Sequence, residues 1–215
     1  MALTPGWPDD PETVEETNAT PEVFAGKSVG DVADHCCAVI GGLTSKPAVI
    51  GRSFGGLSAQ ILAGRGQAAV TVAIDAAPFR GVLPLPISAL KSASPVLHNP
   101  ANRHRAVPLS YDQFRFGFAN AVSEDEAKDL DNTYAVPASG EPIFQAAAAN
   151  LNPGTEAKVD SENPDRGPLL LIAGANDNTV PPAITNASYK KQQRNEGITE
   201  LATIPGRAIA HGPPD

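Results

Sequence analysis

Residues Val49 to Gly56 read Val-Ile-Gly-Arg-Ser-Phe-Gly-Gly, an apolar run that ends in Gly-x-Ser-x-Gly. A serine in that setting can be a nucleophile, raised on a sharp strained turn between a strand and a helix. The turn leaves no room for side chains two positions either side, and Gly51 and Gly55 would supply that room. The pentapeptide alone is weak in a chain with 19 glycines, so its flanks matter. Ala48 to Ile50 is short and β-prone, while Leu57, Ile61 and Leu62 suit a helix that Gly64 and Gly66 end. Ser53 is therefore expected at a strand-to-helix junction, the pattern of a nucleophile elbow.

An elbow serine needs an acid and then a histidine further along the chain. Leu169 to Ala173 is a continuous apolar run of the kind a strand buried on both faces shows, and it opens into Gly174-Ala175-Asn176-Asp177-Asn178-Thr179-Val180-Pro181. Asp177 is thus expected at the carboxyl edge of an open sheet, where an aspartate can orient an imidazole. The bland alternative is a turn aspartate bonded to its own backbone. Asp75, after the strand Ala69 to Ile74, is a second candidate acid if the acid has moved one strand earlier.

These residues lie in a chain that resembles the α/β-hydrolases, and within them a group of bacterial actinomycete-type serine hydrolases with a cap. The resemblance rests on Thr20-Pro21-Glu22-Val23-Phe24, the elbow, Gly81-Val82-Leu83-Pro84-Leu85-Pro86, Asn99-Pro100-Ala101-Asn102-Arg103 and Leu171 to Pro182. It implies Ser53 as nucleophile, Asp177 as acid and the Phe54 N–H as an oxyanion donor. It also implies a mostly parallel sheet with flanking helices and a helical cap insertion. Two departures stand out. Relatives carry roughly four strands before the helix that precedes the elbow, whereas Leu3 to Pro8 resembles only the tail of the fourth, so strands one to three are expected to be missing. The second oxyanion donor would go with them, a loss that typically costs ~10²–10³ in rate, and Ala48 to Ile50 would become an open edge inviting self-association. At the other end the relatives continue Pro-Gly-Arg-x-His, which puts the catalytic histidine at Ile209; here His211 stands two residues later. His211 is accordingly read as the base, with a solvated tail histidine as the alternative.

The other histidines fit less well. His35 precedes the serine, on a stretch from Ser28 to Gly42 where Ser28-x-x-Asp31 resembles a capping box and Val29, Val32, Ala33, Cys36 and Ile40 form one apolar stripe. His98 and His104 flank the Asn99 to Arg103 segment and read as loop histidines. None has metal-ligand spacing with cysteine or carboxylate, and no metal or other cofactor is expected.

The elements that must position this chemistry follow from composition. The 215 residues suffice for one sizeable core, and a hydrophobic fraction of 41% is ordinary. A formal charge of −8 argues against nucleic acid as a partner. No run approaches the ~18 apolar residues of a membrane span, and Met1 to Thr4 lacks the basic and apolar regions of a leader. Cys36 and Cys37 are adjacent and cannot easily bridge each other, so a reducing, cytoplasmic setting is expected. Residues 5 to 21, rich in Pro, Asp, Glu and Thr, read as exposed and weakly ordered.

Residues 1–79 and 168–215 read as the α/β core, and the proline-punctuated stretch 80–167 as the cap or lid. Within the core, Pro182 to Arg194 reads as a helix and Ile198 to Ile204 as the last strand. Arg52, Phe79 and Leu83 are read as substrate contacts, with Leu85, Leu90, Phe114, Phe116, Phe118 and Phe144 as further apolar candidates for an acyl or alcohol pocket. Three functions compete: hydrolysis of a small ester or other acyl compound by a Ser-Asp-His triad, a cofactor-free haloperoxidase or perhydrolase chemistry using the same residues, and a non-catalytic relative that survives as a binding module.

Overall fold

The computed structural model describes residues 2–208. Its central sheet has four strands in the order β1-β2-β5-β6, all parallel: β1 (Ala48–Arg52), β2 (Val70–Ile74), β5 (Leu169–Gly174) and β6 (Thr199–Ile204). Helix α1 (Val14–Ala19) and α2 (Val29–Gly41) precede the sheet, α3 (Phe54–Gly64) joins β1 to β2, and α8 (Pro182–Gln192) joins β5 to β6. Between β2 and β5 the chain makes α4 (Ile87–Leu97), β3 (Ala106–Val107), α5 (Tyr111–Gly117), α6 (Glu124–Tyr134), β4 (Ala138–Ser139) and α7 (Glu141–Ala148), with β3 and β4 paired antiparallel.

Local chemistry sets the boundaries of these elements. Helix α2 starts at a capping box in which Ser28 Oγ accepts from Asp31 N–H at 3.1 Å and Asp31 Oδ2 accepts from Ser28 N–H at 2.9 Å. Ser110 caps α5 through the same kind of box with Gln113, and Ser123 Oγ caps α6 by accepting from Glu126 N–H. The segment expected to be weakly ordered is not so throughout. Thr13 caps α1, Thr17 is buried, and Trp7 packs edge-on against Phe24 with ring centroids 5.9 Å apart. Leu3 to Pro8, resembling a strand tail in sequence, forms no strand.

The two faces of the sheet differ. Thr71, Ala73, Leu169, Leu171 and Ala173 are buried toward α3 and α8, which are joined by a Gln192-to-Gln60 hydrogen bond of 3.0 Å. The cross-strand row Ile50, Val72, Leu170 on the opposite face is far less covered: Ile50 is 69% exposed and Val70, one pleat away, 40%. Among the described residues β1 has one sheet neighbour, so its other side is an open edge. A second core forms where Val29 and Ala33 of α2, Leu57 and Ile61 of α3, Phe79 and Val82 after β2, and Val180 and Ile184 at the start of α8 pack together. Burying a side chain of this size contributes about 1.5–3 kcal/mol, which ties α3, the loop after β2 and α8 into one body.

Candidate active site

The turn after β1 is built by backbone bonds on three sides. Ser53 N–H donates to Ile74 O at 3.0 Å, and Ser53 O accepts from Leu57 N–H at 3.1 Å and Ala77 N–H at 3.0 Å. These bonds hold Ser53 at φ 52°, ψ −121°, a region that costs a non-glycine residue about 1–3 kcal/mol and that its surroundings must over-determine. Gly51 is required for it: an added Cβ would collide with the carbonyl of Gly55. Gly55 itself is not needed on steric grounds, since its added Cβ meets nothing, whereas one on Gly56 would lie 2.8 Å from the Ala76 methyl. The glycine that clears the helix's approach to the β2 loop is therefore Gly56, one place beyond the motif. Ser53 is the N-cap of α3 and Phe54 its first residue; first-turn amides have no acceptor within the helix and remain open to an anion.

Ser53 and Phe54 line a cavity of about 570 Å³. Its wall comes from α4 (Ala89, Leu90, Ala93), α5 and its C-cap (Phe114, Phe118), α7 (Ile143, Ala146), and the approach and first turn of α8 (Thr179, Val180, Ile184). No charged side chain is among the described residues that line it. Of the expected apolar contacts, Leu85, Leu90, Phe114 and Phe118 are in the wall. Three expected substrate contacts lie elsewhere. Phe79 is 2% exposed because its ring joins the buried cluster that holds Leu57 and Ile61 of α3 and Ile184 of α8. Leu83 is 71% exposed and outside the wall, and Arg52 is outside it too, its guanidinium donating to Ala208 O. Phe116 instead carries Lys91 Nζ over its ring at 4.0 Å, and Phe144 is not in the wall. Sequence reading missed Trp7 and Asn18, which do line the cavity. A lone tryptophan between two prolines was the available signal.

Asp177 is 3% exposed in the loop after β5. Its Oδ1 accepts from Thr179 N–H at 2.7 Å and Val180 N–H at 2.5 Å, so both the turn-aspartate geometry and a fixed carboxylate orientation are present in one residue. Thr179 and Val180 bring this loop to the same cavity as Ser53. The insertion clamps it from above: Thr179 Oγ1 donates to Gly117 O at 2.6 Å, Asn178 Nδ2 to Phe116 O at 3.0 Å and Asn120 Nδ2 to Asn176 O at 2.7 Å. From the sheet side, Asn176 N–H donates to Arg207 O at 2.9 Å.

Beside it lies a second buried carboxylate. Asp75, at the end of β2, is 2% exposed with φ 40°, and its Oδ1 accepts from Gly174 N–H at 2.6 Å. Burial, reinforced by the Asp177 charge, pushes its pKa up to about 6, against the Gly174 bond and the Arg52 charge. Arg52 donates to Ala208 O at 3.3 Å, and desolvation lowers its pKa while Asp75 and Asp177 oppose the shift. Arg52 therefore belongs to a charge cluster under the loop ends rather than to the cavity wall. His211 lies outside the described residues, as does Ile209, where the resemblance places the histidine. His35 sits on α2, His98 Nδ1 is 3.1 Å from Ser94 O, and His104 ends a 3-10 turn; none lines the cavity. Among the described residues no cluster of His, Cys, Asp or Glu could hold a metal ion.

A strained serine between a parallel strand and a helix, with a buried aspartate after a later strand of the same sheet, defines a class. A model described as the Alpha/beta hydrolase family matches residues 4–207, and the chain belongs to that family. A search of curated proteins finds no match. Among solved structures, the chain is similar to the monoacylglycerol lipase of Paleococcus ferrophilus, at 19% identity, covering 86% of this chain and 68% of that one with TM-score 0.55. It is likewise similar to a thermophilic esterase from Thermogutta terrifontis, at 15% identity, 85% and 65% coverage and TM-score 0.55. A Mycobacterium tuberculosis H37Rv structure named as a non-heme bromoperoxidase matches at 16% identity, 89% and 70% coverage and TM-score 0.58. At such identities the likeness is one of fold, and the chain spans about two thirds of the length of these structures. No helix among the described residues is long and apolar enough to cross a membrane.

Proposed function

We propose that the chain is a serine hydrolase of small, neutral, apolar esters. One observation carries the reading: a serine held in a strained elbow opens into a cavity of about 570 Å³ whose described wall contains no charged side chain. A substrate acyl chain would lie among Leu90, Phe114, Phe118 and Ile143, with residues 80–167 acting as the cap. Ser53 Oγ would attack the ester carbonyl carbon while His211 takes the hydroxyl proton. The Phe54 N–H would hold the oxyanion, and Asp177 would fix the imidazole tautomer and stabilise the imidazolium. Collapse would expel the alcohol with the proton returned by His211, and water would release the acid by the same two steps in reverse roles. The free, adjacent Cys36 and Cys37 favour a reducing, cytoplasmic setting for this activity.

The test is a series of p-nitrophenyl esters. An apolar wall predicts that kcat/KM rises from acetate to butyrate or hexanoate and falls sharply for the equally long hemisuccinate, whose carboxylate would be buried unpaired. Equal or better turnover of the charged ester would contradict the reading. Peroxide-dependent bromination by a chain that hydrolyses none of these esters would select the haloperoxidase alternative, and neither activity would leave a binding role.

A further inference from the structure

The loop after β2 serves two cavities. Ala77 and Pro78 line the one that contains Ser53, while the next residues, Phe79, Arg80 and Gly81, line another of about 530 Å³ that shares no wall residue with the first. Both volumes are in the range of small-molecule sites, but their chemistry is opposite. The second wall carries four cations, Arg80, Lys158, Lys191 and Arg194, against two carboxylates, Asp160 and Glu162.

That concentration is not what composition would place there. The chain has only 16 Lys and Arg and a formal charge of −8, yet four of those cations converge on one concavity. None of the four forms an ion pair with a described residue. Helix dipole attraction accounts for Lys191, in the last turn of α8, and for Arg194 just beyond it. It does not account for Arg80, which follows β2, or for Lys158, which precedes β5.

The part of the wall that follows β2 is fixed. Arg80 N–H donates to Ala157 O at 2.8 Å and Arg80 Nη1 to Pro153 O at 3.0 Å. Asn150 holds the same loop at both of its polar atoms, accepting from Gly81 N–H at 2.6 Å and donating to Val82 O at 2.9 Å. Gly81, at φ 96°, takes a backbone conformation that other residues rarely adopt, and the Lys191 ammonium lies against it. Lys191 thus reaches the cavity beside Arg80, partly buried against the loop.

We propose that this cavity binds a small phosphate ester. Four positive groups against two negative ones leave a surplus of two positive charges, which matches a phosphate dianion. Arg80, Lys158, Lys191 and Arg194 take the phosphate oxygens, and Asp160 and Glu162 accept hydrogen bonds from hydroxyls of the esterified group. The site does not depend on the hydrolase reading, because it uses no residue of that machinery.

Isothermal titration calorimetry with glycerol 3-phosphate, inorganic phosphate and glycerol as separate ligands tests it. The expected order is glycerol 3-phosphate tighter than phosphate, with no binding of glycerol and weakening at high salt. Lys191→Gln and Arg194→Gln should each weaken both phosphate ligands by about tenfold, and Asp160→Asn should tighten inorganic phosphate. Ser53→Ala should leave all affinities unchanged, which separates this proposal from the active-site one. Absence of heat with either phosphate ligand up to about 10 mM, or unchanged affinity in a folded Lys191→Gln/Arg194→Gln double variant, would overturn it. Equal affinity for inorganic phosphate and the ester would overturn the roles given to Asp160 and Glu162.

Discussion

The carboxyl ends of β1 and β2 lie side by side, Arg52 opposite Ile74, and each is followed by a non-glycine residue at positive φ: Ser53 at 52° and Asp75 at 40°. Their settings differ. Ser53 opens on an apolar cavity at the start of a helix, while Asp75 is sealed in and bonded to the amide of Gly174 on β5. Similar strain therefore accompanies two different settings: Ser53 faces a cavity, where the proposed function makes it the nucleophile, and Asp75 cross-links two strands beneath the loop that carries Asp177. Backbone strain alone does not separate the two; access to a cavity does, and the proposed function rests on that difference.

Substitutions at these positions should separate the two roles. Ser53→Ala keeps the backbone bonds of the elbow and removes only Oγ, so p-nitrophenyl acetate turnover should vanish while circular dichroism and melting temperature stay nearly unchanged. Asp177→Asn can still accept from Thr179 and Val180 N–H but loses the charge that orients an imidazolium, and turnover should fall on the order of 10⁴. Asp75→Asn should lower turnover by less than about tenfold, as expected of a positioning residue. A larger loss at Asp75 than at Asp177 would move the acid to the earlier strand.

The Asp75 variant should also act on stability. Because its pKa rises to about 6 in the folded chain, the native state holds this proton more tightly than the unfolded chain does. Stability from this group is present at low pH and is lost as pH climbs from the ordinary aspartate range through about 6. Asp75→Asn should flatten that slope and gain on the order of 1–3 kcal/mol at pH 8, read from denaturant midpoints across pH. The smallest effect is expected at the open edge. Ile50→Lys should change stability by less than about 0.5 kcal/mol but reduce self-association in sedimentation velocity, since an uncovered apolar edge invites pairing with a second copy. A wild-type chain that sediments as a single monomer at all concentrations would remove that role.

Much of the sheet was legible because its signals are local. The apolar run at Leu169 to Ala173 and the Pro47-to-Gly51 transition mark strands within a residue or two of β5 and β1, and Ser28 with Asp31 announces α2 three residues apart. The elbow was readable for the same reason, although the clearance was assigned to Gly55 when Gly56 provides it. What stayed hidden depends on long-range packing. Asp75 and Gly174 are 99 residues apart in sequence, and nothing near either one signals their bond. Phe79 looks like a pocket aromatic until α3 and α8 close over it, and Trp7 with Asn18 sits in a stretch whose prolines and acids read as a loose tail. The charge cluster on the second cavity draws on four separate positions from Arg80 to Arg194, so no sequence window contains it.

The central claim is that Ser53 is an activated nucleophile. Incubation of the full chain with a fluorophosphonate probe, followed by peptide mapping, tests it most directly, because phosphonylation demands both a working base and an oxyanion site. The account predicts a single label on Ser53 that disappears in Ser53→Ala. A folded chain that takes no label, or takes it on another serine, would contradict it.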